Sequence, residues 1–161
     1  MERFRSLARS VMAVFLVAIA TLLVSCSSGG QATAPPTYSA NQLAQITVYA
    51  DRIQSSKARL PELADYVRER NWANIDNFIH GPLGTLREQM SRLAYQLLPE
   101  DKAEALALSD KISRDLEAMS TAVSVFDGSR TDKAYIRFTK DLSTLLDLVP
   151  TADQSTDQPA A

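Results

Sequence analysis

The sequence predicts an all-α domain, an up-down-up-down antiparallel four-helix bundle over residues 41–149. Three observations predict it. Apolar residues recur at steps of three and four in four successive stretches, the period of one helix face. Proline and glycine fall between those stretches or inside them at single points. No stretch keeps a two-residue alternation, so no strand is expected. Helices with short connections pack antiparallel to their neighbours. The chain has 161 residues, 45% hydrophobic and 22% charged, enough for one domain with a modest core.

The first helix opens on Ser39 as N-cap, with Gln42 three residues on completing a capping box. Tyr38 and Leu43 are placed for the hydrophobic staple around it. Its stripe is Leu43, Ile46, Ala50, Ile53, Leu60, Leu63 and Val67, interrupted by Lys57. Pro61 either kinks or splits it, because proline lacks the N–H and clashes with the carbonyl four residues back.

Asn71 caps the second helix. Its stripe is Ile75, Ile79, Leu83, Leu86, Met90, Leu93 and Leu97. The stripe keeps its phase across Gly81-Pro82, so the expectation there is a kink. Pro99 suits the first turn of the third helix, with Glu100, Asp101 and Glu104 near its positive end. The expected core positions are Leu108, Ile112, Leu116, Met119, Val123 and Phe126, with Gly128 as the stop. The fourth helix has Ser129 or Thr131 as cap. It buries Tyr135, Phe138, Leu142, Leu145, Leu146 and Val149, and ends at Pro150.

Residues 1–25 read as an export signal. Arg3, Arg5 and Arg9 precede the apolar run Val11–Val24, which is shorter than the roughly 20 residues of a membrane span. Leu23-Val24-Ser25-Cys26 resembles the lipobox of bacterial lipoproteins. That resemblance implies cleavage before Cys26 and acyl chains on it, and two or more chains anchor stably. An ordinary cleaved signal with a chance cysteine, or an uncleaved anchor, are the other readings. Residues 26–40 then form a lipidated cysteine and flexible linker. The 14 residues between Cys26 and Asn41 have a coil span of ~20 Å and a full reach of ~45 Å. Residues 150–161 are a polar tail with no core-forming residues, expected to be disordered.

Charge and residue usage exclude several functions. The net charge is −2, and −4 after the signal is removed, which is not the basic footprint of a nucleic-acid binder. One cysteine cannot make an internal disulfide. His80 is the one histidine, and the sequence has no zinc-protease, haem-attachment or nucleophile-elbow motif. No catalytic residues are therefore expected. Asp76 and His80, four apart on one helix face, are the weak candidates for a divalent metal. Two ligands do not close a structural site, and a solvated pair is the plainer reading. Glu100, Asp101 and Glu104 are better explained by the helix dipole than by calcium.

One surface feature points to partners. Arg130, Lys133, Arg137 and Lys140 step by three, four and three, opposite the core stripe of the fourth helix. This basic ridge on an acidic protein suits an acidic patch of a partner or an anionic lipid surface. The alternative is a solvated face in which Asp141 and Asp132 partly answer Arg137 and Lys140. Trp72, at the start of the second helix, is expected to plug the end of the core. A partner hot spot is its other use.

The string from Asn71 to Gly84, Asn-Trp-Ala-Asn-Ile-Asp-Asn-Phe-Ile-His-Gly-Pro-Leu-Gly, resembles the helix-two region of the PsbQ family in its cyanobacterial lipoprotein form. The lipobox, the proline-containing linker, four helices of these lengths and the end Phe138–Pro150 fit the same family across the mature chain. The resemblance implies a non-catalytic extrinsic subunit of photosystem II on the lumenal side of the thylakoid membrane. Such a subunit binds the core and other extrinsic subunits and stabilises the oxygen-evolving manganese–calcium centre. Calcium and manganese then belong to the complex, and no cofactor is intrinsic. Some members are associated with divalent metals, which leaves Asp76–His80 open. Two other classes share parts of the pattern. One is an unrelated tethered lipoprotein acting as an assembly factor or binding module. The other is a redox bundle, for which His80 is poor provision.

Overall fold

The computed structural model of the protein describes residues 36–150. The expected export signal, Cys26, most of the expected linker and the residues from Thr151 lie outside the described residues. The described part is all-α, with six helices: α1 Ala40–Ala58, α2 Leu60–Arg68, α3 Trp72–His80, α4 Leu86–Gln96, α5 Pro99–Ser124 and α6 Gly128–Asp147. None of them is long and apolar enough to cross a membrane.

Each boundary has a local cause. The Ser39–Gln42 capping box is formed in both directions at the start of α1. Of the two expectations for Pro61, the split is what occurs. Arg59 closes α1 through its N–H to Ser56 O (3.2 Å), and Pro61 sits in the first turn of α2, where no N–H is needed. Asn71 caps α3 by accepting from Asn74 N–H.

The Gly81-Pro82 kink is a full break. Pro82 has no N–H to give to Phe78, so Leu83 N–H takes the Phe78 carbonyl one residue late, at 3.1 Å. A tight turn over 81–85 follows. A Cβ at Gly84 would lie 2.5 Å from the His80 carbonyl oxygen, so only glycine fits there. The late closure keeps Leu83 buried, and every residue of the predicted stripe from Ile75 to Leu97 is buried with it.

The passage from α5 to α6 corrects three expectations. Gly128 does not stop α5; it is the first residue of α6. The residue in the left-handed region is Phe126, with φ 58°. Phe126 N–H donates to Val123 O (3.0 Å) and Asp127 N–H to Ala122 O (2.9 Å), the two bonds of a Schellman closure. Phe126 is therefore turned out of the core and is 68% exposed. The cap of α6 is Asp127, not Ser129 or Thr131; its carboxylate accepts from Arg130 N–H at 2.9 Å.

The same closure ends α2. Arg70 has φ 54°, Arg70 N–H donates to Val67 O (3.2 Å), and Asn71 N–H donates to Tyr66 O (2.9 Å). A non-glycine residue in this region costs about 1–2 kcal/mol, so two neighbouring turns each carry that cost.

α5 and α6 pack along each other. α4 packs on α1 and α5, α3 on α5 and α2, and α2 also touches α6. The shared core includes Ile46, Ile53, Leu63, Ile75, Leu86, Met90, Leu93, Ile112, Met119, Phe138, Leu142 and Leu145, all fully buried. The buried hydroxyls of Ser109 and Ser113 are satisfied by the carbonyls four residues back, at 2.7 and 2.8 Å.

Candidate functional site

The outer face of α6 is built by its own periodicity. Phe138, Leu142 and Leu145, spaced by four and three, turn inward as one stripe, so residues on the other side of the helix face solvent. Arg130, Lys133, Ile136, Arg137 and Lys140 are all exposed. They are not equivalent. Arg137 Nε donates to Asp115 Oδ1 at 2.7 Å across the α5–α6 contact. The Asp115 side chain is only 12% exposed, so Arg137 neutralises a carboxylate that water barely reaches. Arg130 pairs with its cap residue Asp127 at 3.2 Å. Neither Lys133 nor Lys140 makes an ion pair among the described residues. Asp132, read from sequence as answering this ridge, is engaged elsewhere, by Arg70. The ridge is thus two tied arginines and two lysines whose charge faces outward.

At the start of α6 the two left-handed turns interlock. Arg70 grips Asp132 with both terminal nitrogens, at 2.7 Å each, and also donates to Gly128 O at 3.2 Å. These bonds hold the Asp132 carboxyl below the usual carboxylate range and raise the Arg70 guanidinium. The guanidinium lies so close that a Cβ at Gly128 would be 2.7 Å from its central carbon. Gly128 is there for close approach, not for an unusual backbone angle. Trp72 is half-buried against the core, as expected, and its ring meets Phe126 edge-on at 5.8 Å.

The other junction lies where the chain enters α1. The Tyr38 hydroxyl accepts from Leu98 N–H at 3.2 Å and donates to Asp101 Oδ2 at 3.3 Å. Burial pushes the Tyr38 phenol above its ordinary range. Lys102 lies over the Tyr95 ring, 4.5 Å from its centre.

Asp76 and His80 do meet, with Nε2 at 3.4 Å from Oδ1, and Ser120 Oγ lies 3.4 Å from the same nitrogen. His80 and Ser120 border a shallow cleft of about 440 Å³ between α3 and α5, lined also by Ile79, Leu116, Glu117 and Thr121. The Asp76 and His80 side chains are both half exposed or more. Among the described residues no three His, Cys, Asp or Glu side chains converge as metal ligands, so the geometry offers a cation two groups and open water.

Sequence reasoning missed the Arg70–Asp132 clamp, the Asp115–Arg137 pair and the outward Phe126. The Asp127-Gly128 dipeptide, an aspartate three residues ahead of Arg130, was the available signal for the true cap.

Residues 3–150 match the family model PsbQ, described as oxygen evolving enhancer protein 3. The chain is 36% identical over 145 residues to CyanoQ of Synechocystis sp., covering 89% of this chain and 97% of that protein. A family match over most of the chain, with a relative aligned nearly end to end, identifies the protein as a member of the PsbQ family, the extrinsic and non-catalytic subunits of photosystem II.

Proposed function

We propose that this subunit docks on the lumenal face of photosystem II, where it stabilises the oxygen-evolving manganese–calcium centre and helps retain other extrinsic subunits. Acyl chains on Cys26 tether it to the thylakoid membrane, residues 26–40 serve as leash, residues 41–149 pack as an up-down-up-down four-helix bundle, and residues 150–161 form a polar tail. The docking groups are Arg130, Lys133, Arg137 and Lys140. Manganese and calcium belong to the complex, and Asp76–His80 gives at most a loose contact for a divalent cation.

One observation carries the docking reading: Lys133 and Lys140 stand exposed on α6 with no ion pair among the described residues. A tether raises the local concentration of membrane-bound partners, so a small, polar surface suffices. Its contacts should weaken with salt.

Rebinding to salt-washed photosystem II tests this. Lys133→Glu combined with Lys140→Glu should release the protein at lower salt than the wild type, with helicity by circular dichroism unchanged. Arg137 is left intact because its loss would strand Asp115. Equal retention at every salt concentration would remove this face from the account. Cys26→Ala should move the protein from the membrane to the soluble fraction.

A further inference from the structure

We propose that Val125 and Phe126, with Ile136, are apolar anchors of the same docking surface, and that its occupant is a protein surface carrying an apolar pocket rimmed by carboxylates. The inference rests on the docking reading above and adds to it the chemistry of the partner.

Three observations converge. Phe126 occupies the left-handed region, φ 58°, where glycine is favoured. It is 68% exposed, and Val125 beside it is 61% exposed. An aromatic side chain kept at an unfavourable angle and turned to water contributes little to the core; among the described residues its aromatic partner is the edge of Trp72. Strain of this kind persists where the surrounding structure over-determines it.

The surroundings do so here. Arg70 clamps Asp132 and Gly128 on the far side of the turn, and the Schellman bonds close it from within. The result is a rigid aromatic presented at little further loss of freedom, the property that makes such residues binding hot spots.

Charge identifies the partner. Ile136 is 62% exposed and lies three residues after Lys133 and four before Lys140. Residues so spaced share one helix face, so an apolar side chain is flanked by two outward cations. The turn holding Phe126 leads directly into that helix. Near the tip itself the charges are neutralised in pairs, Arg130 with Asp127 and Arg70 with Asp132. A membrane surface would meet only a narrow apolar strip with its nearest cations already engaged. A protein pocket for the aromatic, with carboxylates placed for Lys133 and Lys140, satisfies both halves.

The test uses full-length protein and photosystem II stripped by a salt wash. Phe126→Gly should leave the melting temperature unchanged or raised, yet weaken rebinding roughly tenfold. The salt dependence of its residual binding should match the wild type, because the lysines remain. Val125→Ser with Ile136→Ser should weaken rebinding similarly and serves if Phe126→Gly fails to fold. Lys133→Gln with Lys140→Gln should flatten the salt dependence. Wild-type rebinding by both apolar variants would overturn the inference, while a defect confined to the lysine variant would leave the docking reading standing. Lost rebinding in neither set would remove both. Two further results would overturn it: an apolar-variant defect seen with phosphatidylglycerol vesicles but not with photosystem II, or one seen only in self-association by sedimentation.

Discussion

The two junctions joined by α5 are built on opposite terms. Where α5 begins, the chain closes without backbone strain: a capping box at Ser39, Pro99 in the first turn, and a tyrosine hydroxyl from across the fold satisfying the Leu98 N–H. Where α5 ends, ~39 Å along the helix, two turns put Arg70 and Phe126 in the region glycine prefers. They are held by an ion pair and an aromatic edge contact. The first junction closes a fold. The second spends local stability to hold particular side chains in place, which is the pattern expected of a working surface.

Two phenylalanines twelve residues apart should differ most in what their loss does. Phe138 is fully buried; Phe138→Ala should cost about 3–5 kcal/mol, read by urea denaturation. Phe126→Gly loses the Trp72 contact but relieves the backbone, so its stability should lie within about 1 kcal/mol of the wild type. A large loss on Phe126→Gly would make the turn structural and collapse the contrast.

The next effect separates the cations of α6. Arg137→Glu places a second carboxylate beside the little-exposed Asp115 and should cost about 2–3 kcal/mol. Lys133→Glu should be nearly neutral to stability. Equal losses would mean that the ridge is structural throughout.

Tyr38→Phe leaves the Leu98 N–H without its acceptor and should cost about 1 kcal/mol, measured by the thermal midpoint. No loss would mean that water replaces the hydroxyl, and that the first junction is held by its caps alone.

The smallest effect is in pH. Arg70 holds Asp132 below the usual carboxylate range, and Arg59 does the same for Glu62. A depressed carboxylate contributes stability that is fully present above its unfolded pKa of about 4 and is lost as pH falls through the lower folded value. These pairs should therefore leave stability flat from neutrality to about pH 5 and add to the fall below about pH 4. Asp132→Asn should make that fall shallower.

The helices and their buried stripes were legible because apolar period and capping residues are local signals. Ser39, Asn71 and Pro99 behave as their neighbours in sequence dictate. What escaped was decided by residues distant in the chain. Gly128 reads as a helix stop, yet it is small because Arg70, 58 residues away, packs onto it. Phe126 continues the apolar spacing of α5, and only the closure of the helix at Ala122 and Val123 turns it outward. Of the ridge, the spacing was visible; that Arg137 belongs to Asp115 was not, because the partner lies on another helix. Asp76 and His80 do come together as their spacing requires, with no third ligand among the described residues.

Photosystem II isolated from the organism that makes this protein, compared by mass spectrometry before and after a high-salt wash, shows whether the subunit docks on the complex. Docking predicts specific enrichment of this subunit over unrelated lipoproteins, and a fall in that enrichment on washing. No enrichment would contradict the claim that it docks there.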